Sequence, residues 1–377
     1  MLAVAGVGWV SPRGGEQWPS MTTAPADIRT LLVGGYTPPM GTGHGIRLIV
    51  HDLVRATLHD HGLVAVTESP SFLVSAPAGL VSAPAGGVVY AVNETDAGRV
   101  SAFRVTGAGA HCDLEQFSVQ STGGAHPCHL AVHQRLRLLA VANYTSGSVS
   151  IHPLGADGRI EPLTQLIELT GGGGPDAERQ EGPHAHQVTF FDLDAAGVGL
   201  AVADLGSDRV WRYRHEDGRF ASLPLLELPA GSGTRQLLVV GGRALVLGEL
   251  DGSLAVADWT DNPRLLSVGP GHAGTLPDPS LAAALLPGPR PELFYATHRG
   301  GDIVSLLRLD GDSVVPVADF DAAGRWPRHA CLAGDQLYLA NQLSDAVVSL
   351  PVDPATGLPS GPPISVEVPG PSCVLAL

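Results

Sequence analysis

PSCVLAL (Pro371–Leu377) ends the chain and LLVGGYT (Leu31–Thr37) stands near its beginning. The first is a Pro-led turn running into an apolar strand, and six earlier segments share its pattern. They are PSFL at Pro70, PCHL at Pro127, PHAHQV at Pro183, TRQLLVV at Thr234 (with Thr for Pro), PSLAAAL at Pro279 and PRHACL at Pro327. Each of these six leads to a second pattern: a strand with a polar end, a turn, then another alternating strand. Examples are VYAVNETDAGRVSAFRV from Val89, LLAVANYTSGSVSIHPL from Leu138 and LYLANQLSDAVVSLPVD from Leu337. The aligned strand ends are Asn93, Asn143, Asp204, Gly248, His298 and Asn341, in steps of 43 to 61 residues. PSCVLAL alone has no room for what should follow. The missing partners stand at the other terminus, where LLVGGYT supplies a second strand and GIRLIVHDL (from Gly45) a third.

A repeat of this length holding about four short strands is a propeller blade. A blade built from both chain ends closes a ring and pairs strand edges that would otherwise be exposed. The expectation is an all-β fold: a single seven-bladed β-propeller over residues 31–377, its N-terminal strands completing the blade of the C-terminal strand. Residues 1–30 read as a poorly structured tail. Their apolar stretch Leu2–Val10 has no positive residue before it, which is weak as a secretory signal, and Met21 is an alternative start.

Composition agrees with many tight turns and one domain. The 48 Gly and 31 Pro are spread without a linker-like cluster. No run of 18 apolar residues suggests a membrane helix. All 22 basic residues are Arg, against 37 acidic ones, for a formal charge of −15. Lysine nucleophiles and Schiff bases are thereby excluded, and any anion site must use Arg, His or backbone N–H groups. A field of this sign disfavours nucleic acid and anionic membrane as partners. Cys112, Cys128, Cys331 and Cys373 show neither CxxC spacing nor a pairing rhythm, which reads as free thiols in a reducing cytoplasm.

In a propeller the innermost strands line a central channel, so the Pro-led motifs and the second-strand ends should deliver side chains to one place. They deliver His129, Arg179, His184, His186, Arg235, Glu249, Arg299, Arg328 and His329. Several cations beside one prominent carboxylate suit an anionic, oxygen-rich small molecule gripped by Arg forks. His184 and His186 alternate and could hold a metal, but no third ligand of matching spacing is visible, so no metal is expected. Arg235 and Arg328 also read as inter-blade salt bridges. The run Gly171–Gln180 lacks the Lys-Ser/Thr of a phosphate loop and reads as a flexible rim loop. Asn143 and Asp204 read as turn-capping groups.

At these residues the chain resembles a known family. GGYT at Gly34, YAVNE at Tyr90, PCHL at Pro127, ANYTSGSVS at Ala142, PHAHQV at Pro183, THRGGDIVS at Thr297 and PRHACL at Pro327 are similar to the seven-bladed lactonases. That family includes bacterial 6-phosphogluconolactonases of the propeller type and fungal carboxy-cis,cis-muconate cyclases, and the resemblance covers about residues 31–377. It implies lactone chemistry with no cofactor, on a His, two Arg and a Glu that fall on His186, Arg235, Arg299 and Glu249. The motif at Thr234 departs from the GPRH-like family pattern, with Thr234 and Gln236 in place of Pro and His. The expected reaction is hydrolysis of a small anionic sugar-acid lactone. His186 would activate water at its ordinary pKa near 6.5, and the arginines would stabilise the oxyanion. A muconate-type cycloisomerase and a non-catalytic propeller binding a small anion or a protein are the alternatives.

Overall fold

Leu31-Leu32-Val33 is apolar on both faces of a strand, and the fold buries both. Leu31 and Val33 pack against Tyr338 and Val347 on one side, while Leu32 packs with Val89 and Val100 on the other. The computed structural model describes residues 27–76, 80, 87–193 and 197–377, so nearly all of the expected tail lies outside the described residues. Twenty-eight strands, numbered in chain order, form seven four-stranded antiparallel sheets. The only helical elements among the described residues are two 3-10 turns.

The blade that closes the ring, blade I, is ordered β28 (Pro371–Ala376), β1 (Ile28–Gly35), β2 (Ile46–Asp52) and β3 (Thr57–Ala65). The C-terminal strand is thus innermost and the N-terminal segment supplies the other three, with Leu31 opposite Ala376 and Val33 opposite Val374. Gly34 is required there, because a Cβ at this position would meet the Pro70 carbonyl oxygen at 2.0 Å. Blades II to VII follow in order. Their innermost strands are β4 (Leu73–Ser75), β8 (Pro127–His133), β12 (Ala185–Asp192), β16 (Thr234–Val240), β20 (Leu281–Pro287) and β24 (Pro327–Ala333). Each innermost strand touches the next, and β24 meets β28, which meets β4, so the circle is complete.

Two devices recur on these inner strands. The first is a bulge near the strand start. Pairing with the second strand skips Cys128, His186, Arg235, Arg328 and Ser372 in their respective blades. A bulge re-aims its extra side chain, and two of these, His186 and Arg235, are thereby brought into contact with each other. The second is a clasp by the residue after the bulge. Gln187 accepts the Leu237 N–H at 2.5 Å, Gln236 that of Leu285 at 2.6 Å, His329 that of Val374 at 3.3 Å and Cys373 that of Leu73 at 3.4 Å. Inner strands are sheet edges, and their axis-facing N–H groups need partners once buried. The neighbouring blade provides them.

The clasp explains the departure at Gln236, which stands where His329 stands in blade VII and accepts the same kind of backbone N–H. Replacing Gln236 with Leu leaves the Leu285 N–H unpaired and should cost about 1–3 kcal/mol in urea unfolding. Gln236→His, which restores an acceptor, should cost clearly less than Gln236→Leu.

Candidate active site in the channel

The polar strand ends do not face the axis. Asn93 donates to the Glu68 carbonyl at 2.7 Å, His298 to that of Gly271 at 3.0 Å and Asn341 to that of Ala322 at 2.9 Å, each holding the connection that arrives from the preceding outer strand. Asn143 donates at 3.5 Å to Thr122 O, and Asp204 accepts the backbone N–H groups of His184 and Gly206. The capping roles expected for Asn143 and Asp204 match these bonds. It is the residue one step further that turns inward. The N–H groups of Glu94, Tyr144, Glu249 and Gln342 bond the carbonyls of Ser69, His126, Gly233 and Trp326, at 2.8 to 3.0 Å. All four carbonyls belong to residues with positive φ, 36° to 65°. A left-handed Trp is uncommon, and Trp326 in this state lies beneath Arg299, whose guanidinium carbon is 5.5 Å from the ring centre.

Glu249 is the hub, wholly shielded from solvent. Its Oε1 pairs with Arg179 Nη2 at 2.7 Å and Arg299 Nη2 at 3.0 Å, and its Oε2 accepts from Arg235 Nη1. Burial alone would raise its pKa. Arg299, Arg235 and Arg179 outweigh burial and hold the carboxyl well below the usual range, so it stays an anion. The arginines are themselves fixed. Arg235 Nε donates to the Ala283 carbonyl at 2.6 Å, and Arg299 Nη2 to that of Ala282 at 3.0 Å, tying both to blade VI. Burial, partly offset by Glu249, pulls Arg299 down to about 9.

Arg179 arrives from the loop between blades III and IV and also reaches the Tyr144 hydroxyl at 3.3 Å. That loop is pinned, contrary to the flexible loop expected from its glycines. Gln180 is buried and donates to Leu205 O and Asp208, each at 2.9 Å, and a Cβ on Gly173 would fall 1.7 Å from the Gln180 carbonyl oxygen. The glycines permit close packing.

His186 completes the cluster. Its Nε2 lies 2.7 Å from Arg235 Nη1 and can only accept, so the ring is the neutral Nδ1–H tautomer. That Nδ1 is buried with no protein partner. Burial and then Arg235 hold the ring well below 6.5, so the ordinary histidine pKa assumed from sequence does not apply in this environment. His184 borders the cluster without bonding Glu249 or an arginine: it stacks on Tyr144 at 4.5 Å, with Nε2 3.1 Å from Glu181. His186 packs edge-on against the same Tyr144 ring at 5.7 Å but alone of the two bonds Arg235, and no group of three His, Cys, Asp or Glu suited to a metal occurs among the described residues.

The other expected residues divide. Arg328 reaches the axis and bonds the Tyr36 hydroxyl at 2.5 Å, its guanidinium over that ring. His329 serves the seam between blades VII and I. His129 packs on Phe72 with ring centres 4.2 Å apart. Burial takes His129 to about 3 and His329 to about 4, so both are neutral. Sequence reading missed Tyr36, Glu94 and Tyr144, although the signal was available. They occupy the same column, one past the aligned strand end, as Glu249 and Arg299.

Because His129, His186 and His329 have lowered folded pKa values, the unfolded chain binds protons near pH 6.5 that the folded chain rejects. Stability should therefore fall as pH drops from 6.5 towards 4, by about 1.4 kcal/mol per pH unit for each fully linked histidine. The stabilising contribution of the Glu249 anion is present above the ordinary carboxylate pKa and is lost only below this window. Urea unfolding across this range checks the slope, which His129→Gln should flatten.

The chain matches the family model described as Lactonase, 7-bladed beta-propeller, over residues 30–376. It is 25% identical over 353 residues to the 6-phosphogluconolactonase of Bacillus subtilis (strain 168), covering 91% of this chain and 96% of that protein. The structure of Pseudomonas aeruginosa periplasmic gluconolactonase, PpgL, superposes with a TM-score of 0.80 at 26% identity, covering 93% of this chain and 99% of the other. A Lactobacillus plantarum protein gives the same TM-score, identity and coverage. With the closed ring of seven blades and the match along nearly its whole length, this chain belongs to the seven-bladed β-propeller lactonase family.

Proposed function

We propose that this protein hydrolyses the lactone of a sugar acid, with 6-phosphogluconolactone the first substrate to test. The observation that carries this reading is the charge inside the channel. Three guanidinium groups surround one carboxylate, and Arg328 stands beside them, in a chain whose total charge is −15. An excess of buried positive charge in an acidic protein is a site for an anion or a developing oxyanion. A passive scaffold has no use for it, since each buried charge costs desolvation energy. The names of the Bacillus and Pseudomonas relatives support the same substrate class. Four free thiols are consistent with a reducing cytoplasm, whereas the Pseudomonas relative is periplasmic.

In this reading the lactone carbonyl oxygen takes the N–H groups of Arg235 and Arg299. Drawing Arg235 onto substrate releases His186 Nε2, which then accepts a proton from the attacking water. Glu249 keeps both guanidinium groups aimed and needs no proton exchange of its own. His186 is a weak base, but it is wholly unprotonated near neutral pH, and the arginine-polarised carbonyl lowers the demand on it.

Purified protein should accelerate 6-phosphogluconolactone hydrolysis above the spontaneous rate. Arg235→Ala should cost roughly 10²–10³ in kcat/KM. The acid limb of the pH profile should lie below 6.5 because His186 is held below its ordinary value. Full activity in both Arg235→Ala and His186→Ala would remove this assignment.

A further inference from the structure

Opening a lactone needs a proton as well as a base, because the ring oxygen leaves as a poor alkoxide. Glu249 cannot provide it while three arginines hold it ionised. A second carboxyl in the channel is built on the opposite plan. Glu94 occupies in blade II the position Glu249 occupies in blade V, one past the second-strand end. Three blades apart in a ring of seven is the widest separation available, so the two face each other across the axis.

Their surroundings differ in kind. Among the described residues no guanidinium is bonded to Glu94. Its Oε2 accepts the hydroxyls of Tyr36, at 2.9 Å, and Ser71, and no protein hydrogen bond reaches its Oε1 among the described residues. Arg328 is held on Tyr36 instead and acts electrostatically on both carboxyls. Burial raises the Glu94 pKa, and Arg328, Ser71, Tyr36 and His126 oppose that rise without cancelling it; the neighbouring Cys128 thiol is itself pushed upward and stays neutral. Two carboxyls whose environments separate their acidities commonly divide acid and electrostatic roles.

We propose that Glu94 is the proton donor to the departing ring oxygen, a role that rests on the lactonase reading above. Water's oxygen bonds to the carbonyl carbon while its proton passes to His186. The bond from that carbon to the ring oxygen then breaks, and the proton on Glu94 Oε1 moves to the ring oxygen. The hydroxy acid departs, leaving Glu94 ionised and His186 protonated, and proton exchange with water restores both.

The test compares two lactones in the wild type and Glu94→Gln. One is 6-phosphogluconolactone, with an alkoxide leaving group. The other is dihydrocoumarin, whose phenol leaving group has a pKa of about 10 and needs little acid assistance. The Gln variant should lose roughly 10²–10⁴ in kcat on the sugar lactone at nearly unchanged KM, and less than tenfold on dihydrocoumarin. Equal losses on both, or no loss, overturn the donor role. Should that variant fail to fold, Ser71→Ala removes a hydroxyl that favours the ionised carboxyl. The basic limb of kcat on the sugar lactone should then move to higher pH, and an unmoved limb overturns the role. A wild type inactive on every lactone overturns the lactonase reading itself, and the donor role with it.

Discussion

The pairing of β28 with β1 is the constraint on which everything else rests. A propeller sheet has two edges, and the inner edges of all seven blades meet at one axis. If the C-terminal strand failed to enter the first blade, the axis would lose one wall and the neighbouring seams would open. Closure does more than add ladder hydrogen bonds. It brings Cys373 to the Leu73 N–H and Val374 to His329, so two of the inter-blade clasps exist only in the closed ring.

Closure also explains how a chain of separate blades assembles one site. Five of the inner strands contribute a bulged residue, and the second strands contribute residues beyond their ends. The same backbone geometry repeated around a circle points different side chains at a common volume. Where those are Arg235, Arg299 and His186 the volume is cationic, and Glu249 is what allows the cations to coexist. Without its anion, three guanidinium groups within a few ångströms would repel one another in a medium of low polarity. The arrangement is a compromise: enough negative charge to hold the arginines, too little to neutralise them.

The fold was legible because it is a matter of repetition. Six copies of one motif and an orphan seventh, PSCVLAL, with its partners at the other terminus, imply a closed ring without any knowledge of contacts. Much of the site was legible for the same reason, since Arg235, Glu249 and Arg299 recur at fixed offsets in the repeat. His329 was harder to place, because a histidine beside a bulge has the same appearance in sequence whether it faces the axis or the next blade. The one-residue alternation of a strand decides which, and the bulge shifts that alternation. Glu94 escaped notice because the alignment stopped at Asn93, a residue that points the other way.

The sequence by itself determined the architecture, the closure of the ring, the cationic character of the channel and the absence of lysine chemistry. These follow from residue type and period, which are local properties. Only the tertiary structure decided which carboxyl is clamped by arginines and which is held by hydroxyls, that His186 is neutral and spends its Nε2 on Arg235, and that Gln236 secures a seam. Those outcomes depend on burial and on which charges stand within a few ångströms, and residues as far apart in sequence as Tyr36 and Arg328 become neighbours only when the ring is closed.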